Sequence, residues 1–218
     1  MPKKTAQATV SEIAVAARGP RGQAKRQILI DAAASLFAEK GYNATTLWDI
    51  AAKAGTQPGS LYYHFESRDD IVREVLKAAM NITGARVKAA LENIPPDTPY
   101  IDRIALGIRT HITSVFQSDP YTSAYFRIIN EVPEEVNRDY LEHPRAYGRY
   151  WHKLIIAAQA AGEIRADIDP TMFRMILFGA ITWAQRWFKP EGGRLSVDQL
   201  SDSLIDMFMN GALPFDAG

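Results

Sequence analysis

Residues 45–68 read TTLWDIAAKAGTQPGSLYYHFESR, and this stretch decides the fold. Thr46 with Asp49 three residues on has the spacing of a capping box, in which each side chain satisfies a free amide at a helix start. Leu47, Ile50, Ala51 and Ala54 then fall at i, i+3, i+4 and i+7, one apolar helical stripe that Gly55 terminates. Thr56 can cap a third, short helix in which Pro58 takes an early position, where its missing N–H costs little. Two short helices joined by a glycine turn form a helix-turn-helix. Leu47, Ile50, Ala51, Leu61 and Phe65 supply its small core. Thr56, Gln57, Gly59, Ser60, Tyr62, Tyr63 and His64 remain for the opposite face. They are short, polar or amphipathic, suited to base edges and phosphates. Tyr62 and His64 are also compatible with packing, and Trp48, off the apolar stripe, fits the domain edge slightly better than an outward face.

Helical signals extend in both directions. Upstream, a helix over 23–40 places Leu29, Ala33, Leu36 and Phe37 on one face and stops at Gly41. Downstream, Ser67 and Asp70 form a second capping box that opens a long helix. After Pro95, Pro96 and Pro99, helical patterns cover 100–117, 120–130, 133–161 (with a bend expected at Pro144), 170–188 and 196–209. The last opens on the capping pair Ser196 and Gln199. No hairpin pattern or internal repeat occurs. The expected fold is all-α with about nine helices: a flexible basic arm (1–21), a three-helix DNA-binding unit (22–68) and a larger helical domain (69–218).

The 218 residues carry equal numbers of Lys+Arg and Asp+Glu, 25 of each. The balance is uneven along the chain. Residues 1–68 hold nine basic and five acidic side chains, and the remainder holds sixteen and twenty. A basic small end on an acidic body suits a polyanionic partner. Arg18 and Arg21, just before the first helix, are placed for the arginine-in-minor-groove contacts that such arms make. A solvated tail gives the same composition.

Absence of cysteine excludes disulfides, thiolate metal sites and cysteine nucleophiles. The most apolar run, 175–184, is well short of the ~20 residues of a membrane span. No secretory pattern follows Lys3 and Lys4, so a cytoplasmic location is expected. His111, His143 and His152 lack helical metal-site spacing. No phosphate-binding loop, dinucleotide fingerprint or nucleophile elbow is present. An enzyme is not expected, nor is any cofactor or metal.

Phe37-Ala38-Glu39-Lys40-Gly41-Tyr42, Ala44-Thr45-Thr46, Ile50-Ala51, Gly55 and Gly59-Ser60-Leu61-Tyr62-Tyr63-His64-Phe65 together resemble the TetR family of transcriptional regulators. The resemblance spans about residues 23–75. It implies that Thr46 meets a phosphate and that Thr56, Gln57, Gly59 and Ser60 face bases. Tyr62, Tyr63 and His64 would touch phosphates or thymine methyls. Arg68 keeps the positive charge that family members carry as lysine. Thr56-Gln57 replaces a frequent Val-Ser, which leaves base preference open.

The resemblance also implies a ligand cavity in the larger domain. Candidate lining residues are His111, Phe116, Tyr125, Phe126, Tyr147, Trp151, Phe178, Trp183, Arg186 and Trp187. Most such aromatics also suit an ordinary core. Arg145, Arg149 and Lys153 recur every four residues, a stripe that is either solvated or able to steer an anion. Arg186-Trp187-Phe188-Lys189-Pro190 is similar to a helix end in a TetR subgroup that senses acyl-CoA thioesters, so an acyl-CoA or other amphipathic anion is the expected effector.

Helix 170–188 is apolar nearly all round (Phe173, Ile176, Leu177, Ala180, Ile181, Ala184, Phe188), and Leu200, Leu204, Met207 and Phe208 form a stripe on the next. The surplus apolar surface points to a two-fold homodimer through these helices. The expected function is a ligand-released repressor on a palindromic double-stranded DNA operator, with the helix from Ser67 as lever. Two other readings stay open. One is an effector-independent or architectural DNA-binding protein with a filled interior. The other is an all-α small-molecule-binding protein with a vestigial helix-turn-helix.

Overall fold

A computed structural model describes residues 19–117, 119–136, 142–190 and 192–213. Residues 1–18 of the expected arm, Arg18 among them, lie outside them. The described residues are all-helical, with no strand among them. Nine helices have described bounds: α1 (Pro20–Lys40), α2 (Leu47–Lys53), α3 (Pro58–Tyr62), α4 (Arg68–Glu92), α5 (Tyr100–Phe116), α6 (Pro120–Ile128), α7 (Glu142–Ala160), α8 (Pro170–Trp187) and α9 (Val197–Ala212).

The capping boxes expected at Thr46/Asp49, Ser67/Asp70 and Ser196/Gln199 are all closed. Two helix starts differ from expectation, for one reason. A proline disfavours the α region in the residue before it and presets its own φ for a first helical turn. α1 therefore opens at Pro20 behind extended Gly19 (ψ 162°), so Arg21 is helical and not part of an arm. Likewise α3 opens at Pro58 behind extended Gln57 (ψ 149°), which displaces the expected cap from Thr56. Pro144 is the third residue of α7, and the residues before it that would test the expected bend, 137–141, lie outside the described ones. Of the helix expected over 133–161, a turn at 134–136 and α7 are described.

Two hydrophobic clusters form the core. The first joins Leu29, Leu36 and Phe37 of α1, Ile50 and Ala51 of α2, Leu61 of α3 and Ile71, Val75 and Leu76 of α4. It also takes in Ala124 and Ile128 of α6 with Val132 and Val136 beyond it. The second gathers α5, α7, α8 and α9 around Ile104, Ile108, Trp151, Leu177 and Leu204. α9 lies along α5, where Arg109 pairs with Asp202. α6 is thus packed on α1 while belonging in sequence to the larger half.

Candidate DNA-reading face and effector cavity

The reading unit is built as its sequence implies. Ile50, Ala51, Leu61 and Phe65 are buried between the short helices, with Leu47 packed against them. Gly55 holds φ +64°, a left-handed turn residue that favours glycine. Thr46 accepts the Asp49 N–H at 3.1 Å, while the Asp49 carboxylate accepts the Thr46 N–H at 3.0 Å and its hydroxyl at 2.7 Å. These bonds, the hydroxyl's first, hold the Asp49 carboxyl below its usual range.

Outward from that core, Gln57 and Gly59 are exposed and Thr56 and Ser60 half-buried. A Cβ at Gly59 would touch nothing within 4 Å, so the fold itself makes no steric demand for glycine there. Tyr62 is 60% exposed, which removes it from the core. Trp48 is 71% exposed, against the slight leaning toward packing, and extends the open face next to the Thr46 cap. Tyr63 packs edge-on against His64 at 5.0 Å. Burial, then the nearby Lys25 and Arg26 charges, lower the His64 pKa. Arg21 is exposed on α1. Arg68 is engaged internally: its Nη1 donates to the Tyr42 and Thr45 carbonyls at 3.3 and 3.2 Å, and its guanidinium lies 3.9 Å over the Tyr42 ring. It braces the α1–α2 turn, a role that charge counting did not reveal.

In the other half, a cavity of about 170 Å³ lies between α4, α5, α6, α7 and α8. Five of the ten expected pocket residues line it: His111, Tyr125, Phe126, Tyr147 and Phe178. The other five do not. Trp151 is fully buried behind the cavity, with its ring edge-on to Tyr147 and Phe178. Phe116 packs edge-on against Phe188 at 4.8 Å. Trp183 and Arg186 instead line an open groove on the α6–α8 side, together with Arg127 and Ser123. Cavity and groove share Phe126, Phe178 and Thr182 in their walls. Trp187 is exposed beyond both. The Arg145, Arg149 and Lys153 stripe faces outward.

Thr83 of α4 and Arg174 of α8 complete the polar lining. No pattern around either singled it out. The available signal was that Arg174, Phe178 and Thr182 recur every four residues, one face of α8. His111 and Tyr147 share a hydrogen bond at 2.8 Å. Burial pushes the His111 imidazolium down to about 4 and the Tyr147 phenol up, so both are neutral at physiological pH.

The sequence and the fold match known proteins. Residues 29–75 match the bacterial regulatory proteins of the tetR family, and 97–212 match the tetracyclin repressor-like C-terminal domain. The chain belongs to the TetR family. Among its TetR relatives, the HTH-type transcriptional repressor KstR2 of Rhodococcus jostii is 27% identical over 188 residues, 86% of this chain and 90% of that protein. The fatty acid metabolism regulator protein of Bacillus subtilis is 23% identical, covering 84% and 93%. A solved TetR-like fold, AibR in complex with isovaleryl coenzyme A and operator DNA, superposes with a TM-score of 0.73 at 22% identity, over 88% of this chain and all of that one. TetR proteins are transcriptional regulators and not enzymes. Among the described residues no group of three or more His, Asp or Glu could hold a metal ion, and no helix is long and apolar enough to cross a membrane.

Proposed function

We propose that this TetR-family regulator is a homodimeric repressor that leaves a palindromic operator when an amphipathic anion, an acyl-CoA foremost, enters the α4–α8 cavity. One observation carries the reading: α6 lines the cavity and is fastened to the reading unit at both ends. Near its start, the Tyr121 hydroxyl donates to Asp31 and accepts from Gln27 of α1. Just beyond its end, the Glu131 carboxylate accepts the Tyr42 N–H. Between these ties, Thr122, Tyr125 and Phe126 face the cavity. Ligand that displaces α6 therefore acts on α1, and through the shared core on α4, the expected lever. A coupling of about 1–3 kcal/mol changes operator affinity by about 5–150-fold.

On the DNA side, Gln57, Gly59 and Ser60 would meet base edges. Thr46, Trp48, Tyr62 and Arg21 would meet the backbone. The dimer reading rests on the exposed large apolar residues Met172, Met175, Ile176, Trp183 and Trp187 of α8 with Met207 of α9, a grouping of the kind that marks interaction surfaces. The acyl-CoA reading draws on relatives named for fatty acid metabolism and on the isovaleryl coenzyme A held by AibR. The adjoining groove, with Arg127, Arg186 and Trp183, suits the nucleotide end of such a ligand. An open cavity disfavours the effector-independent alternative, which expects a filled interior.

The test selects bound sequences from a random duplex pool and then titrates the complex with acyl-CoAs. A two-fold-symmetric site released by an acyl-CoA is the expected result. Failure of folded protein to enrich any such motif overturns the proposal.

A further inference from the structure

One charged side chain, Arg174, lines the cavity with its Nε unpaired among the described residues. That Nε is shielded from solvent. Apart from the Thr182 hydroxyl, the other polar side chains around it are engaged. Thr83 is paired with Ser114 at 3.1 Å, and Thr122 donates to Asp119 at 2.7 Å. His111 Nδ1 and the Tyr147 hydroxyl are hydrogen-bonded to each other. Asp119 itself accepts from Thr122 and lies 3.7 Å from Arg86, so it is engaged away from Arg174.

Arg174 also has a fitted seat. A Cβ on Gly148 of α7 would stand 3.0 Å from its Nη1 and 3.3 Å from its Cζ. A Cβ there would press the guanidinium aside by a few tenths of an ångström. An arginine stays charged at any physiological pH, and a shielded donor left unpaired is costly. A half-buried guanidinium whose shielded Nε has no partner, beside a largely apolar chamber, is the complement of an anionic ligand group.

Resting on the effector-cavity reading above, we propose that the cavity selects a compact carboxylate, its acid group on Arg174 and its apolar body against Phe126 and Phe178. The volume sets the size of that body. An engineered apolar cavity of about 150 Å³ holds benzene, so about 170 Å³ holds a body of roughly six to eight carbons. A body of that size fills the cavity without extending into the adjoining groove. Two sources supply this chemistry: a free monocarboxylic acid, or a CoA thioester of a short dicarboxylic acid whose distal carboxylate reaches Arg174 while the nucleotide stays in the groove.

Calorimetric titration of the full-length protein with benzoate, benzamide, glutaryl-CoA and pentanoyl-CoA tests this. Benzoate binding at least about tenfold more tightly than benzamide identifies the free-acid source. The same preference of glutaryl-CoA over pentanoyl-CoA identifies the thioester source. In either case Arg174→Met removes the preference, Arg174→Lys restores part of it, and Gly148→Ala weakens it by displacing the guanidinium. Equal binding of the carboxylate and its carboxylate-free counterpart in both pairs overturns the proposal, as does carboxylate binding that survives Arg174→Met in protein with an unchanged melting curve, or no binding by either carboxylate. Release of the selected operator, measured separately with acyl-CoAs whose acyl groups carry no carboxylate, decides the broader effector reading whichever way the carboxylate test falls.

Discussion

The Glu131 carboxylate accepts the backbone N–H of Tyr42 at 2.9 Å, joining the loop after α6 to the turn between α1 and α2 across 89 residues of chain. The contact depends on Gly41. That residue ends α1 at φ +81°, a left-handed conformation, and a Cβ there would stand 2.9 Å from Glu131 Oε2. Gly41→Ala should therefore cost more than the usual left-handed penalty of about 1 kcal/mol, because it also dislodges the carboxylate. Chemical denaturation should show a loss of about 1–3 kcal/mol. Glu131→Gln, which keeps an acceptor, should cost less than Glu131→Ala.

Gln57→Ala and Tyr62→Ala remove exposed side chains, so neither should shift the melting temperature measurably. Each should weaken operator binding by about 1–3 kcal/mol in a titration at fixed salt. The two should differ in character. Gln57→Ala relaxes preference at one base position, whereas Tyr62→Ala weakens all sequences alike if it meets phosphate.

His111 predicts acid sensitivity of a defined sign. Its folded pKa, pushed down to about 4 by burial, lies below the ordinary 6.5 of an unfolded histidine. The unfolded chain therefore binds the proton first as pH falls. This contribution to stability is fully present above about pH 6.5 and is lost progressively toward pH 4, by up to about 3 kcal/mol. His111→Gln should flatten that part of the pH–stability curve, read as melting temperature from pH 7 to 4.5.

Met175→Glu tests the dimer. It places a carboxylate within the exposed α8 stripe without disturbing Phe173 or Leu177, which face the core. Sedimentation should show a monomer with unchanged helicity, and affinity for the palindromic site should fall to that of a single half-site. A dimer that survives moves the interface elsewhere.

Much of this architecture was readable from local chemistry. Three capping boxes, the glycine stop at Gly41 and the stripe of Leu47, Ile50 and Ala51 are patterns within one or two helical turns, where spacing alone determines geometry. Errors arose where a stronger local rule competed, as at Pro20 and Pro58, whose preceding residues are driven out of the helix. The cavity was half readable. Aromatic content finds Phe126, Tyr147 and Phe178, but the same content also gives Trp151 in the core and Trp187 on the surface. What separates them is which face of α7 or α8 meets which neighbour, a long-range property. Arg174 was invisible for the same reason. Its meaning lies in Gly148, twenty-six residues away, and in the partners it lacks.

Because Ala124, Ile128, Val132 and Val136 complete the core beneath α1–α4, the DNA reader is not a cassette that can be cut out at residue 68. An isolated N-terminal fragment would present that apolar seat to water and fold poorly or aggregate. Chimeras meant to give this operator specificity a new sensing module should carry the α6 segment through Val136 along with the reader. Exchange of ligand specificity is then easiest by altering side chains inside the chamber, and hardest by swapping halves.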